Sequence, residues 1–234
     1  MLADSRLNLF ILPGLDGTGI RLGEFVRRLG PHVATRVVGY PCDEPLGYAD
    51  LERLIRAALP TDRRFVLLGE SFSGPLAIRI AADPPPHLAG LILCGTFARN
   101  PYPWLRWARP LAVRFPVKSL PRWLRAPLLW GSADPRSAPV RRMRATSSVA
   151  TPVIRHRIGE ILAVDETRSL ARVRTPTLIL TARSDRLVPR SAISRLLRGL
   201  PGAHVEEIDG PHLLLQVRPG ECAHSVLRFL RRCN

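Results

Sequence analysis

Lysine is almost missing from this chain: of its 35 basic residues only Lys118 is a lysine, and the other 34 are arginines. That scarcity excludes a phosphate-binding G-x-x-x-x-G-K-[ST] loop and Schiff-base chemistry, because each needs a lysine at a defined place. Lys118 itself, in Phe115-Pro116-Val117-Lys118-Ser119, follows no glycine loop. Cysteine is sparse as well. Cys42, Cys94, Cys222 and Cys233 form no C-x-x-C pair, so neither a zinc site nor a dense disulfide framework is indicated. They read as reduced thiols, with Cys94 in an apolar strand. No apolar run approaches the roughly 18 residues of a membrane span, and the opening MLADSRLNLF lacks the basic region and apolar stretch of a signal peptide. A cytoplasmic location is expected, with peripheral attachment to a membrane as its extension. Acidic residues, 19 in all, are outnumbered, and the formal net charge is +16.

What remains is the composition of a packed domain. The 234 residues are 46% apolar and 23% charged, near the globular average, and a chain of this length buries a large core without metal or disulfide. Short β-branched and apolar runs alternate with helical patterns, the signature of a mostly parallel sheet covered on both faces. The strands are expected at Leu7–Leu12, Arg36–Tyr40, Phe65–Gly69, Leu88–Cys94, Thr177–Thr181 and His204–Ile208. Helices are expected at Gly19–Leu29, Tyr48–Leu59, Phe72–Ala82, Ser191–Arg198 and Cys222–Arg232. One segment breaks the alternation. From Arg99 to Arg174 there is no convincing strand, and nine prolines, from Pro101 to Pro152, cut it into short helical pieces. It carries 16 basic and 4 acidic residues and all four tryptophans, at 104, 107, 123 and 130.

The strongest local signal is Leu67-Leu68-Gly69-Glu70-Ser71-Phe72-Ser73-Gly74-Pro75, a strand entering a helix through a tight turn. A serine on such a corner has its hydroxyl lifted out of the sheet and a helix N-terminus beside it. Small residues two before and two after let strand and helix approach closely; here they are Gly69 and Ser73, a mild departure from G-x-S-x-G. An ordinary helix N-cap is the competing reading of the same serine. An activated serine needs a base and an orienting acid, which in this arrangement follow in the order Ser, Asp, His. Asp185 falls in the loop after Thr177–Thr181, and His212, in Asp209-Gly210-Pro211-His212, falls in the loop after the last strand. Asp209 is the rival acid; Asp165 precedes its strand and reads as a helix cap. After the first strand, Leu12-Pro13-Gly14-Leu15-Asp16-Gly17-Thr18-Gly19 can aim backbone N–H groups at a substrate oxygen, with Leu15 and Phe72 as the two oxyanion donors. The same glycines resemble a nucleotide-binding turn, but the spacing is not G-x-G-x-x-G, and that reading leaves the Ser–Asp–His series unexplained. Glu70 reads as a structural hydrogen-bonder.

Four blocks in this order, Leu12–Gly19, Gly69–Gly74, Thr175–Pro189 and Gly210–Pro219, resemble the α/β-hydrolase family over almost the whole chain. The resemblance implies a three-layer α/β-hydrolase fold of six mostly parallel strands with helices on both faces and a helical cap inserted after the fourth strand. Residues 1–98 and 166–234 would form the core and 99–165 the cap or lid. It implies no cofactor and no metal. It also implies a serine hydrolase that cleaves acyl esters or thioesters through an acyl-serine intermediate, with Ser71, Asp185 and His212 as the triad. Trp104, Trp107, Trp123 and Arg106 of the cap would contact substrate.

The wording LPGLDGTG with GESFSG is also similar to plastid acyltransferases, so transfer of the acyl group to an alcohol is the alternative. A catalytically silent protein that binds an acyl ligand or an anionic partner is the alternative of another class. The net charge invites a nucleic-acid reading, but no nucleic-acid motif accompanies it. Arginines clustered with tryptophans suit an anionic acyl substrate, an acidic acyl carrier protein or an anionic membrane surface better.

Overall fold

A computed structural model of the chain describes residues 7–31, 33–108, 110, 129 and 149–233. Six parallel strands form one sheet in the order β2-β1-β3-β4-β5-β6. They are β1 (Asn8–Leu12), β2 (Ala34–Val37), β3 (Phe65–Glu70), β4 (Leu88–Cys94), β5 (Thr177–Ala182) and β6 (His204–Ile208). Side chains alternate across a strand, and in β1 this sends Phe10 and Leu12 into one core and Leu9 and Ile11 into the other. The first core is closed by α2 (Tyr48–Ala58), α3 (Gly74–Ala82) and α6 (Arg190–Gly199), through residues such as Leu51, Leu76 and Leu196. The second is closed by α1 (Gly23–Leu29) and α8 (Pro219–Cys233), through Phe25, Val226 and Phe229. Helices on both faces explain why β3 is buried at every position and reads as an unbroken apolar run.

The strand expected at Arg36–Tyr40 lies two residues earlier. Ala34–Val37 pairs in register with Asn8–Ile11. The Val38 N–H still bonds Ile11 O of β1, and past it the chain turns to the loop after β1, where the Tyr40 N–H bonds Gly17 O. Val38 and Tyr40 are apolar because they are buried in the core past the strand's end. Pro152 also departs from expectation. It sits in the first turn of α4 (Thr151–Ala163), a 13-residue helix, where its missing N–H has no helical partner in any case. It starts a helix instead of cutting one.

At the foot of the segment after β4, Arg99 and Asp165 form an antiparallel bridge. The Asn100 N–H bonds Val164 O, and the Glu166 N–H bonds Ala98 O. The chain therefore leaves and re-enters the sheet region at adjoining points, then passes through the short helix α5 (Thr167–Leu170) into β5. Among the described residues no helix is long and apolar enough to cross a membrane.

Candidate active site

Strand order reverses between β1 and β3, so the loops at their carboxyl ends diverge and leave a crevice. The candidate site is built there. β3 ends at Glu70, and Ser71 adopts φ +49°, a left-handed conformation uncommon for a residue with a Cβ. A short 3₁₀ turn, Ser71–Ser73, then feeds α3. The turn is possible because its flanks lack side chains. A Cβ on Gly69 would lie 2.7 Å from Ala77 Cβ and 2.8 Å from Ser73 O, and one on Gly74 would lie 1.8 Å from Thr96 Oγ1. Thr96 Oγ1 in turn donates to Ser71 O.

Ser71 Oγ donates to His212 Nε2 at 2.8 Å, and His212 Nδ1 donates to Asp185 Oδ2 at 2.8 Å. A carboxylate can only accept, so the bond to Asp185 fixes the tautomer, leaving Nε2 free to take the serine proton. The other oxygen of Asp185 accepts the N–H groups of Leu187 and Val188, each at 2.8 Å, which holds the carboxylate against rotation. His212 precedes α7 (Leu214–Val217), and both its side chain and that of Asp185 are buried. The structure thus brings Ser71, Asp185 and His212 together. Asp209 is exposed, and its carbonyl accepts from Arg218 Nε. Asp165 accepts from the N–H of Thr167 at the start of α5.

The loop after β1 faces Ser71: a Cβ on Gly14 would lie 3.8 Å from Ser71 Cβ. Gly14 to Gly17 form a turn closed by the Gly17 N–H on Gly14 O, and that bond does not use the N–H of Leu15. Phe72 lies in the first turn after Ser71, where an N–H has no helical acceptor. Three buried side chains hold this loop. Ser73 Oγ donates to Pro13 O and accepts from Tyr40 OH at 2.6 Å. Glu70 Oε2 accepts the Gly14 N–H at 3.1 Å, while Oε1 accepts from Gln216 Nε2 of α7 at 2.7 Å. Arg157 Nη1 of α4 donates to Leu15 O at 3.0 Å. Burial pushes the Glu70 carboxyl above the ordinary glutamate range, with the Gln216 bond opposing it and the nearby Asp16 charge adding to it. Burial likewise raises the Tyr40 hydroxyl, which keeps it a donor.

The glutamate was legible as a structural hydrogen-bonder; Tyr40, Arg157 and Gln216 were not, since no local pattern marks contacts 33, 142 and 146 residues away. Trp104 and Trp107 are 67% and 88% exposed in a 3₁₀ turn, Pro103–Ala108, that also holds Arg106. None of the three bonds a triad residue in the structure. Trp123 lies outside the described residues, as does Trp130.

The comparisons with known proteins agree with this architecture. A family model described as serine aminopeptidase, S33 matches residues 48–213, a span that includes Ser71, Asp185 and His212. The provisionally named carbamate hydrolase RutD of Rhizobium rhizogenes is 31% identical over 186 residues, covering 76% of this chain and 70% of that protein. Among solved structures, a lipase-esterase related protein from Clostridium acetobutylicum superposes with a TM-score of 0.81 at 12% identity, covering 96% of this chain and 95% of its own. The enol-lactonase of Burkholderia xenovorans gives 0.78 at 18% identity, covering 96% and 91%. With a parallel sheet in this strand order, a serine on a strained corner after β3, and both a family model and a curated relative matching most of its length, the chain belongs to the α/β-hydrolases and is a hydrolase.

Proposed function

We propose that this hydrolase cleaves carboxylic esters or thioesters through an acyl-serine intermediate. The observation that carries the reading is the continuous line of bonds from Ser71 Oγ through His212 to Asp185, each 2.8 Å long. His212 Nε2 takes the proton as Ser71 Oγ attacks the carbonyl carbon, and Asp185 stabilises the imidazolium that forms. The carbonyl oxygen, now negative, sits between the N–H groups of Leu15 and Phe72. Collapse of the tetrahedral intermediate expels the alcohol or thiol, which leaves with the proton from His212. Water then repeats the sequence: His212 accepts its proton, the hydroxide attacks the acyl carbon, and Ser71 departs protonated with release of the acid.

Carbamate cleavage is the second reading, favoured by the 31% identity to a protein named for it. The same serine attack would apply, giving a carbamoyl-serine in place of an acyl-serine. The segment 99–165 is proposed as the cover of the site, with Trp104, Trp107, Trp123 and Arg106 available to an acyl chain. Its arginines suit an anionic partner, an acidic carrier or a lipid surface.

Ser71→Ala should cut turnover of short p-nitrophenyl esters by at least about 10⁴-fold and abolish labelling by a fluorophosphonate, with the fold retained. Undiminished turnover would sink the assignment. A panel pairing p-nitrophenyl esters with the matching carbamates separates the two readings: faster turnover of carbamates would replace the first by the second.

A further inference from the structure

Leu15 and Phe72, whose N–H groups are assigned to the oxyanion, lie far apart in sequence, yet one face of α4 reaches the carbonyl of the first directly and that of the second through Tyr48. Arg157 and Glu160 are one helical turn apart and lie on the same side of the helix. Arg157 Nη1 donates to Leu15 O at 3.0 Å, and Nη2 donates to Pro41 O at 2.8 Å. Its guanidinium lies 5.5 Å from the centre of the Tyr40 ring. Glu160 Oε2 accepts the N–H of Tyr48 at 2.9 Å. Tyr48 OH then donates to Phe72 O at 2.9 Å, and its ring stacks on that of Phe72 with centroids 4.8 Å apart.

Arg157 is an unusual side chain to find there. It is wholly buried, and among the described residues no carboxylate bonds it and its Nε has no hydrogen-bond partner. Burying a cation with no carboxylate bonded to it opposes folding, and desolvation accordingly lowers the Arg157 pKa, with the Asp16 charge among the smaller opposing influences. Two carbonyls and an aromatic face are its direct contacts. The loop after β1 is also shaped around it: a Cβ on Gly17 would lie 2.6 Å from Arg157 Nη1. A group that serves stability alone would be better replaced by an apolar side chain of similar volume. What the guanidinium provides, and an apolar chain does not, is a fixed two-pronged grip on the carbonyls of Leu15 and Pro41.

We infer that α4 is a positioning element for catalysis, in which Arg157 holds the Leu15 carbonyl and Glu160, through Tyr48, holds the Phe72 carbonyl, each in the peptide next to the one whose N–H is an oxyanion donor, so that the two donor residues are kept at a set separation. This rests on the serine-hydrolase reading above. Because α4 belongs to the segment inserted after β4, any displacement of that segment would alter the oxyanion site without touching the triad. Arg157 and Tyr48 contact no reacting atom; their effect passes through the backbone.

The test compares Arg157→Met, Arg157→Lys and Tyr48→Phe with the unaltered protein on p-nitrophenyl butyrate, with a trifluoromethyl ketone as the probe of oxyanion stabilisation. Arg157→Met is expected to lower kcat by about 10- to 100-fold through misplacement of a donor, with KM changed by less than about twofold and an unshifted pH profile. The ketone should lose affinity by the same factor as kcat. Arg157→Lys should fall between Met and the unaltered chain, since an ammonium reaches one carbonyl and not two. Tyr48→Phe should lose about 3- to 10-fold in kcat and in ketone affinity together; if Arg157→Met does not fold, this variant decides. Unchanged kcat and ketone affinity beside a lowered Tm would overturn the inference, leaving a structural arginine. An unaltered chain that neither turns over the ester nor reacts with a fluorophosphonate would instead overturn the acyl-serine reading, and this assignment with it.

Discussion

The corner that carries Ser71 and the loop that carries Leu15 face each other across the candidate site, and different forces hold them. The corner is fixed by contact. Gly69 and Gly74 have no room for a Cβ against Ala77, Ser73 and Thr96, and the strained φ of Ser71 is kept by that packing. The loop is fixed by polar bonds made at long range: Pro13 O to Ser73, the Gly14 N–H to Glu70, and Leu15 O to Arg157. Steric contact is indifferent to pH and to charge, whereas a clamp built from a carboxylate and a guanidinium is sensitive to both. In the proposed reaction this would set a rigid nucleophile opposite donors that groups some distance away could adjust.

The largest effect should come from breaking the corner. Gly74→Val places a branched side chain where even a Cβ would meet Thr96 Oγ1 at 1.8 Å; overpacking of this kind costs about 1–3 kcal/mol or more, and the strand-to-helix turn should open. A chemical-denaturation midpoint well below that of the unaltered protein, with triad activity lost, is the expected result; an unchanged midpoint would mean that contact does not hold the turn. A smaller loss is expected from Ser73→Ala. It strands Pro13 O and Tyr40 OH in the interior, and leaving buried polar groups unpaired costs about 1–3 kcal/mol. Because Ser73 is both the small residue of the corner and the first bond to the loop, Ser73→Ala should lower kcat as well as stability. A loss of stability with kcat unchanged would place Ser73 with the corner alone.

The same contrast accounts for what the sequence revealed. Short apolar runs exposed all six strands, and Gly69, Ser71 and Ser73 announced the corner, because steric demands act between neighbours in the chain and leave a local pattern; the demand for glycine at position 74 emerged only from its contact with Thr96. Asp185 and His212 were legible for a related reason: each follows its strand at the place where the sheet presents a loop. β2 was misplaced by two residues because Val38 and Tyr40, though past the strand's end, are buried in the core, Tyr40 against the loop after β1. Arg157 was invisible. Among 16 basic residues between Arg99 and Arg174 nothing singles it out, and its meaning depends on carbonyls 116 and 142 residues away. Gln216 and Tyr40 were hidden in the same way, each bonded to a partner that no spacing rule connects to it.

The subtlest prediction concerns Glu70, whose two oxygens join the loop after β1 to the helix after His212. Burial, first of all, raises its folded-state pKa above the ordinary value of 4.5, against the opposing bond from Gln216. The unfolded chain returns Glu70 to that ordinary value. Between the two, the folded state binds more protons than the unfolded one, so the stability that Glu70 contributes is complete below the unfolded value and declines as pH rises through the folded value. Glu70→Gln removes this titration. Its amide also presents donors to a site where Gly14 and Gln216 both donate, so the variant should be less stable throughout. The difference in Tm between the unaltered protein and Glu70→Gln should therefore be largest near pH 4 and shrink toward pH 8 by the linkage argument. A difference that stays constant, or widens with rising pH, would show that the carboxylate is charged in the folded state across the whole range. A constant difference would make the clamp on the loop as indifferent to pH as the corner opposite it, and a widening one would reverse the sign of its pH dependence.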